Sequence, residues 1–263
     1  MNIVNPKTAL ISLSDKSNLD HIINFLIKKN IKILSTGGTY NAIKKITNSV
    51  IEVSEFTGFN EMMDGRVKTL HPKIHAGILA RRDSDLELLK EKGYEAIDLV
   101  IVNLYPFEET IKKDCSFEDA IENIDIGGPT MIRAAAKNFK DVVVLSDPND
   151  YEKITGEWDS NNGISYETRK HLSQKVFKLM ANYNKSISNY LQGDIEKIPN
   201  YNFLKSTALR YGENPHQSAS LLTFDNLQNK NISNADILQG KELSYNNIVC
   251  LLYTSDAADD RSC

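Results

Sequence analysis

Three cysteines in 263 residues, Cys115, Cys250 and Cys263, supply neither an even disulfide framework nor metal-ligand spacing, which points to a reducing compartment. Nowhere do about 18 apolar residues run together, so no membrane-spanning helix is expected. The opening "NIVNPKTALISL" also lacks the basic n-region and apolar stretch of a secretory signal. Nor is there a cationic excess. With 31 basic against 35 acidic residues the formal charge is -4, the wrong sign for coating nucleic acid or an anionic membrane surface. The G-x-G-x-x-G and G-x-x-x-x-G-K-[ST] patterns are missing, which disfavours a dinucleotide or a P-loop triphosphate. No H-E-x-x-H and no Ser-His-Asp order marks a zinc or acyl-transfer centre. These absences leave a cytoplasmic globular chain, 41% hydrophobic and 25% charged, with length for one domain and part of another and a core that needs no staples.

Short apolar runs recur through the first 150 residues: "TALIS" (8 to 12), "IKIL" (31 to 34), "VIEV" (50 to 53), "DLVIVNL" (98 to 104) and "DVVVL" (141 to 145) read as strands. Helical signals lie between them. Leu19, Ile22, Ile23 and Leu26 share helical spacing, "DSDLELLKEKG" opens on Asp83 and closes on Gly93, and "SFED" (116 to 119) is a capping-box pattern. Strands separated by helices predict right-handed crossovers and an α/β fold of three layers, a parallel sheet covered on both faces. From Ser165 one long helix is expected, with Leu172, Val176, Leu179, Met180, Tyr183 and Ile187 on its apolar side. The polar "QGDIEKIPNYN" (192 to 202) then marks a candidate domain boundary.

In an open parallel sheet, ligands sit beyond the carboxyl ends of the strands. Two hydroxyl-rich loops fall there, "SLSDKS" (12 to 17) and "STGGT" (35 to 39). Ser12, Ser14, Lys16, Thr36, Gly38 and Thr39 suit a phosphate pocket, and plain helix capping is the alternative for either loop alone. "GRVKTLHPKIHAGILARR" (65 to 82) gathers five cations and two of the five histidines without an acid. If extended, it turns Arg66 and Lys68 the same way, fit to grip one phosphate. His71 and His75 lack the carboxylate or cysteine that a metal site would need nearby. Arg81 and Arg82 read as surface charge. In "NLYPF" (103 to 107), Asn103 and Tyr105 could hydrogen-bond a planar heterocycle, while Phe107 reads as core. In "DIGGPTMIRAAAK" (125 to 137), Pro129 suits a first helical turn and the glycines leave N–H groups uncovered for an oxyanion. Asp125 is a candidate proton acceptor near a candidate ammonium donor, Lys137. An Ala-rich packing helix with a solvated Lys137 is the alternative. Cys115 has no basic neighbour to activate it.

"SLSDKSNL", "ILSTGGTYNAI", "VSEFTGFNEMMDGRVKTLHPKIHAGILARR", "IVNLYPF" and "IDIGGPTMIRAAAKN" together resemble the IMP cyclohydrolase domain of the bifunctional purine-biosynthesis (PurH) family. "ALRYGENPHQ" (208 to 217) and "LQGKELSYNNI" (238 to 248) resemble the start of that family's AICAR transformylase domain. The resemblance implies a methylglyoxal-synthase-like domain over 1–197, a truncated, incomplete second α/β domain over 198–248, and a non-native tail at 249–263. It implies ring closure of formyl-AICAR to IMP with loss of water, a purine ribonucleotide as the small-molecule partner, and no cofactor or metal for that step. The full-length family is implied to be a homodimer that also uses 10-formyltetrahydrofolate as co-substrate of formyl transfer. That activity is expected to be absent here, because no K-H-x-N-P pair follows.

Carried over by motif, Lys68, Tyr105, Asp125 and Lys137 are the implied catalytic residues. Ser12, Ser14, Lys16, Thr36, Gly38, Thr39, Arg66 and Thr69 would surround the ribose phosphate, and Asn103, Ile126 and Gly127 the base. Backbone N–H groups near Ile126 and Gly127 would stabilise the formyl oxygen. Arg210, Tyr211 and His216 match the transformylase substrate motif, and Phe139 stands where relatives often have His. The same fold also serves as a phosphate-effector-binding regulatory module and as a methylglyoxal-synthase-like lyase, but neither carries the GRVKTLHP and IDIGG pair.

Overall fold

The computed structural model describes residues 3–63, 65–105, 107–112, 115–192, 203–224 and 243–248. The chain divides into two compact units, Met1–Gly193 and Asp194–Cys263. The first unit begins with β1 (Ile3–Val4), β2 (Thr8–Ser12), α1 (Leu19–Lys28), β3 (Lys32–Ser35), α2 (Gly37–Lys44) and β4 (Val50–Glu52). There follow α3 (Val53–Thr57), α4 (Pro72–Leu79), α5 (Leu86–Glu91), β5 (Leu99–Val102), α6 (Phe107–Lys112) and α7 (Phe117–Glu122). It ends with α8 (Gly127–Lys137), β6 (Val143–Leu145), α9 (Tyr151–Asn161), β7 (Ile164–Ser165) and α10 (Tyr166–Gln192).

Five of these strands form one parallel sheet in the order β4-β3-β2-β5-β6. All four residues of β5 are buried, as are Ala9, Leu10 and Ile11 of β2, which is what a strand covered on both faces requires. Register fixes where the loops emerge. Ile11 lies opposite Ser35 and Ser12 opposite Val102, so the segments after β2, β3 and β5 leave the sheet along one edge. The five expected strands all form, and α1 buries Leu19, Ile22, Ile23 and Leu26 as their spacing predicts. The capping box is real: Ser116 Oγ accepts the Asp119 N–H at 3.0 Å.

Two features lie outside the sequence reading. A two-residue antiparallel ribbon joins β1 to β7, too short to leave a periodic signal. Arg169 of α10 is fully buried, with Nε 2.8 Å from the Phe139 carbonyl, Nη2 2.9 Å from that of Lys140, and Nη1 on that of Ile164. Burial pushes its pKa below the ordinary guanidinium value, and five donors in a fixed fork tie three chain ends together.

Arg82 is likewise not the surface charge expected of it. Its guanidinium is 3.2 Å from Asp98 Oδ1 and 2.8 Å from the Ile97 carbonyl, which clamps the end of the cationic run to the start of β5. Arg81 stays exposed, paired with Asp85 one helical turn on.

In the second unit β8 (Phe203–Leu209) and β9 (Ala219–Phe224) form an antiparallel hairpin, and residues 245–248 form a helical turn. The expected boundary at 192–202 falls almost wholly outside the described residues, and the expected tail at 249–263 does so entirely.

Candidate active site

The loop after β3 starts α2 with Thr36 at the N-cap, yet its side chain makes no capping bond. Thr36 Oγ1 is buried and has no hydrogen-bond partner among the described residues. Thr39 has a different job. Its hydroxyl accepts the Leu13 N–H at 2.8 Å and donates to the Leu13 carbonyl at 3.0 Å, tying the two hydroxyl-rich loops together. Gly37 has a φ of 55°, and a Cβ there would stand 3.2 Å from Lys68 Nζ, so glycine lets the ammonium approach this turn.

Lys68 and Thr69 reach the site from the segment before α4. His71 caps that helix by accepting the Lys73 N–H at 3.1 Å, and Lys73 Nζ holds the Phe56 carbonyl at 2.5 Å. Both are supports of the segment's shape. His75 sits one turn further on with Nε2 buried and without a hydrogen-bond partner among the described residues. Desolvation pushes its pKa down, so it is held neutral.

Opposite lies the start of α8. Gly128 is buried, and a Cβ on it would lie 2.4 Å from Asp125 Oδ2 and 3.0 Å from Leu104 Cδ2. Only glycine lets the acid fold back onto its own helix. Asp125 Oδ1 accepts the Gly128 N–H at 2.9 Å, and its backbone N–H donates to Tyr183 Oη at 2.9 Å. Burial raises the Asp125 pKa above the ordinary carboxylate value, although the N–H groups of Gly128, Tyr105 and Gly127 favour the charged form. The N–H of Gly127, expected to meet an oxyanion, is among the groups that favour the charged carboxylate.

Ser12, Thr36, Arg66, Lys68, Thr69, Asp125, Ile126 and Gly127 line a single cleft of about 790 Å³. Ser14, Asn103 and Tyr105 line a neighbouring cleft of about 800 Å³, with Lys175, Asn182 and Tyr183 on its far side. Asn103 spends its amide on the loop: Oδ1 accepts the Ser14 and Asp15 N–H groups at 2.7 and 3.1 Å, and Nδ2 donates to the Asp15 carbonyl at 2.7 Å. It is a latch rather than a free reader of a base. Lys16 turns back onto the Leu13 and Ser14 carbonyls, and Gly38 is exposed at the start of α2.

Lys137 does not join the cleft. It is exposed at the last position of α8, ten residues beyond Gly127 and so about 15 Å along the axis at the helical rise per residue. The alternative of an Ala-rich packing helix describes α8 well, since Ala134, Ala135 and Ala136 are buried. Phe139, beyond that end, packs its ring 5.4 Å from Tyr166. Sequence reasoning missed Glu61 and Glu122, which pair with Lys68 and Arg66. An acid-free cationic run signals that its counter-charges lie elsewhere, but not where.

In the second unit the two family-like motifs meet. Arg210 donates its N–H to the Leu243 carbonyl and Tyr245 donates to that of Tyr211, both at 3.1 Å, while the Arg210 guanidinium lies 5.3 Å from the Tyr211 ring centre. His216 is exposed in the turn between β8 and β9.

No helix among the described residues is long and apolar enough to cross a membrane. Residues 18–130 match the family model of the MGS-like domain, and residues 135–260 match that of the AICARFT/IMPCHase bienzyme. The bifunctional purine biosynthesis protein PurH of Fusobacterium nucleatum is 52% identical over 245 residues, 92% of this chain and 48% of that protein. Its namesake in Clostridium botulinum is 51% identical over 247 residues, covering 92% and 49%. A solved structure, the crystal structure of ForH, is 32% identical with a TM-score of 0.61 over 70% of this chain and 97% of that one. The chain spans about half the length of the curated relatives it matches. With two family models in tandem and half of all aligned residues identical, the chain belongs to the PurH family of bifunctional purine biosynthesis proteins.

Proposed function

We propose that residues 1–197 form an IMP cyclohydrolase domain acting in the cytoplasm on a purine ribonucleotide. The observation that carries this is the meeting of the GRVKTLHP and IDIGG segments in one cleft: Thr36, Arg66, Lys68 and Thr69 on one side, Asp125 and the start of α8 on the other. The ribose phosphate of formyl-AICAR binds at Thr36, Arg66 and the N-terminus of α2. Its carboxamide nitrogen attacks the formyl carbon and gives one proton to Asp125 while Lys68 protonates the formyl oxygen to a hydroxyl. The hydroxyl then takes the proton held by Asp125 and leaves as water, as the formamide nitrogen returns its own proton to Lys68 and the C=N bond closes. A raised pKa suits Asp125 to this, because a stronger base draws a proton from a weakly acidic amide more readily. Lys68 supplies positive charge to the formyl oxygen and a proton for the departing water.

Tyr105 lines the neighbouring cleft, and its N–H is among the groups that favour the charged form of Asp125. Lys137 is given no step, since α8 carries it away from the acid. The first-domain reaction as proposed needs no metal or redox cofactor. 10-Formyltetrahydrofolate belongs to the second activity of the bifunctional family. These 263 residues contain no K-H-x-N-P pair, so formyl transfer is not assigned to them. Arg210, Tyr211 and His216 of residues 198–248 are proposed as a remnant of that substrate site, and a homodimer is proposed for the full-length protein.

The test is turnover of formyl-AICAR by the purified chain, followed as IMP absorbance. Removing a preorganised charge from such a site costs roughly 100-fold or more, and Lys68→Ala is expected to lose at least that. A well-folded chain with no turnover overturns the reading. It would return the cleft to the regulatory effector module or lyase that share the fold.

A further inference from the structure

Both cations of the cleft are already held by carboxylates that have no part in the proposed reaction. Arg66 grips Glu122 with two parallel bonds, Nε to Oε1 at 2.8 Å and Nη2 to Oε2 at 2.5 Å. Lys68 Nζ is paired with Glu61 Oε2. The Arg66 and Glu122 side chains are 63% and 59% exposed, and Glu61 is 51% exposed against 28% for its partner Lys68. Ion pairs so open to water are weak and exchange readily.

The neighbouring cations of the same run are held differently. Lys73 lies against the Phe56 carbonyl and ring, and Arg82 against Asp98 and backbone carbonyls. Neither lines the cleft. Lys68 also lies beside the turn at Gly37, where Thr36, 7% exposed, keeps its buried hydroxyl without a partner among the described residues. An unpartnered donor, the start of α2 and two loosely held cations converge on one cleft.

We propose that Glu61 and Glu122 are placeholder anions that set which ligands the cleft accepts: a dianionic phosphate group displaces both, and a monoanionic carboxylate does not. This rests on the phosphate-site reading above. A carboxylate ligand exchanges like for like and gains little over the residues it removes. A phosphate brings two charges and three acceptor oxygens, enough to engage Arg66 as a fork, Lys68 as a point charge and the Thr36 hydroxyl together. The displaced glutamates, already more than half exposed, regain water. They are specificity-determining residues that act through the cations and touch no reacting atom.

Isothermal titration of the full chain with inorganic phosphate, and separately with acetate, at pH 8 tests this. The wild-type chain is expected to bind phosphate and not acetate. Glu61→Gln and Glu122→Gln should each bind phosphate about two- to fivefold tighter, the factor that an exposed pair is worth. The double variant should begin to bind acetate. Tightening is the informative sign, because a merely structural lesion weakens binding. Phosphate affinity that is unchanged or weaker in both single variants, with wild-type circular dichroism, overturns the placeholder role and leaves the anion site standing. No phosphate binding by any of the four proteins overturns the anion site, and the placeholder role with it.

Discussion

Asp125 shows how one residue can be read correctly in type and only half in role. Its place before two glycines suggested a proton acceptor, but the burial that makes it a stronger base arises only in the fold, where its backbone N–H meets Tyr183 of a distant helix. That burial has a measurable sign. A raised pKa means the folded chain holds the proton more tightly than the unfolded chain does. Stability from this group is therefore full below the unfolded pKa of about 3.9 and is lost as pH rises through the folded value. Asp125→Asn keeps an oxygen for the Gly128 N–H and removes the buried charge. It should melt higher than wild type at pH 7, by a margin that shrinks towards acid in calorimetric scans. Its turnover should be lost, while wild-type turnover rises with pH through that same raised pKa. Equal melting temperatures at every pH would contradict the buried-charge account.

Among the elements, α8 and α10 carry the lesson. The period of α10 placed Leu172, Val176, Met180 and Tyr183 on its buried side, as found. Periodicity said nothing of Arg169 on the same side, because a charged residue is normally scored as solvent-facing. Its donors bind the carbonyls of Phe139, Lys140 and Ile164, joining α10 to the end of α8 and to β7. Arg169→Met would take the donor from three carbonyls, that of Ile164 in a buried bond and those of Phe139 and Lys140 in part-buried ones, at about 1–3 kcal/mol for each that stays unsatisfied. A loss of roughly 3 kcal/mol or more in urea denaturation is expected, with Lys170→Met, an exposed neighbour, as the near-neutral control. The "DIGGPTMIRAAAK" run sets Asp125 near Lys137 as proton acceptor and ammonium donor. The helix instead carries Lys137 to its far end, while Gly127, Gly128 and Met131 are the α8 residues that line the cleft.

At the scale of the molecule, the hydrophobic core of the first unit runs, among the described residues, from Val4 to Tyr190. A chain ending at residue 197 is therefore expected to unfold in one cooperative transition, its midpoint within a few degrees of the first unit's transition in the full chain, as measured by calorimetry. Loss of cooperativity in that fragment would count against 1–197 as a domain. The sequence by itself determined the alternating strand and helix order, the parallel sheet and the loops that carry the site, because apolar periodicity and turn chemistry are local properties of the chain. Only tertiary structure decided that Asn103 latches a loop, that Arg82 is a clamp, that Lys137 stands apart from Asp125, and that Glu61 and Glu122 hold the two cleft cations. Each of those outcomes depends on distances between groups far apart in the chain, and no local pattern encodes them.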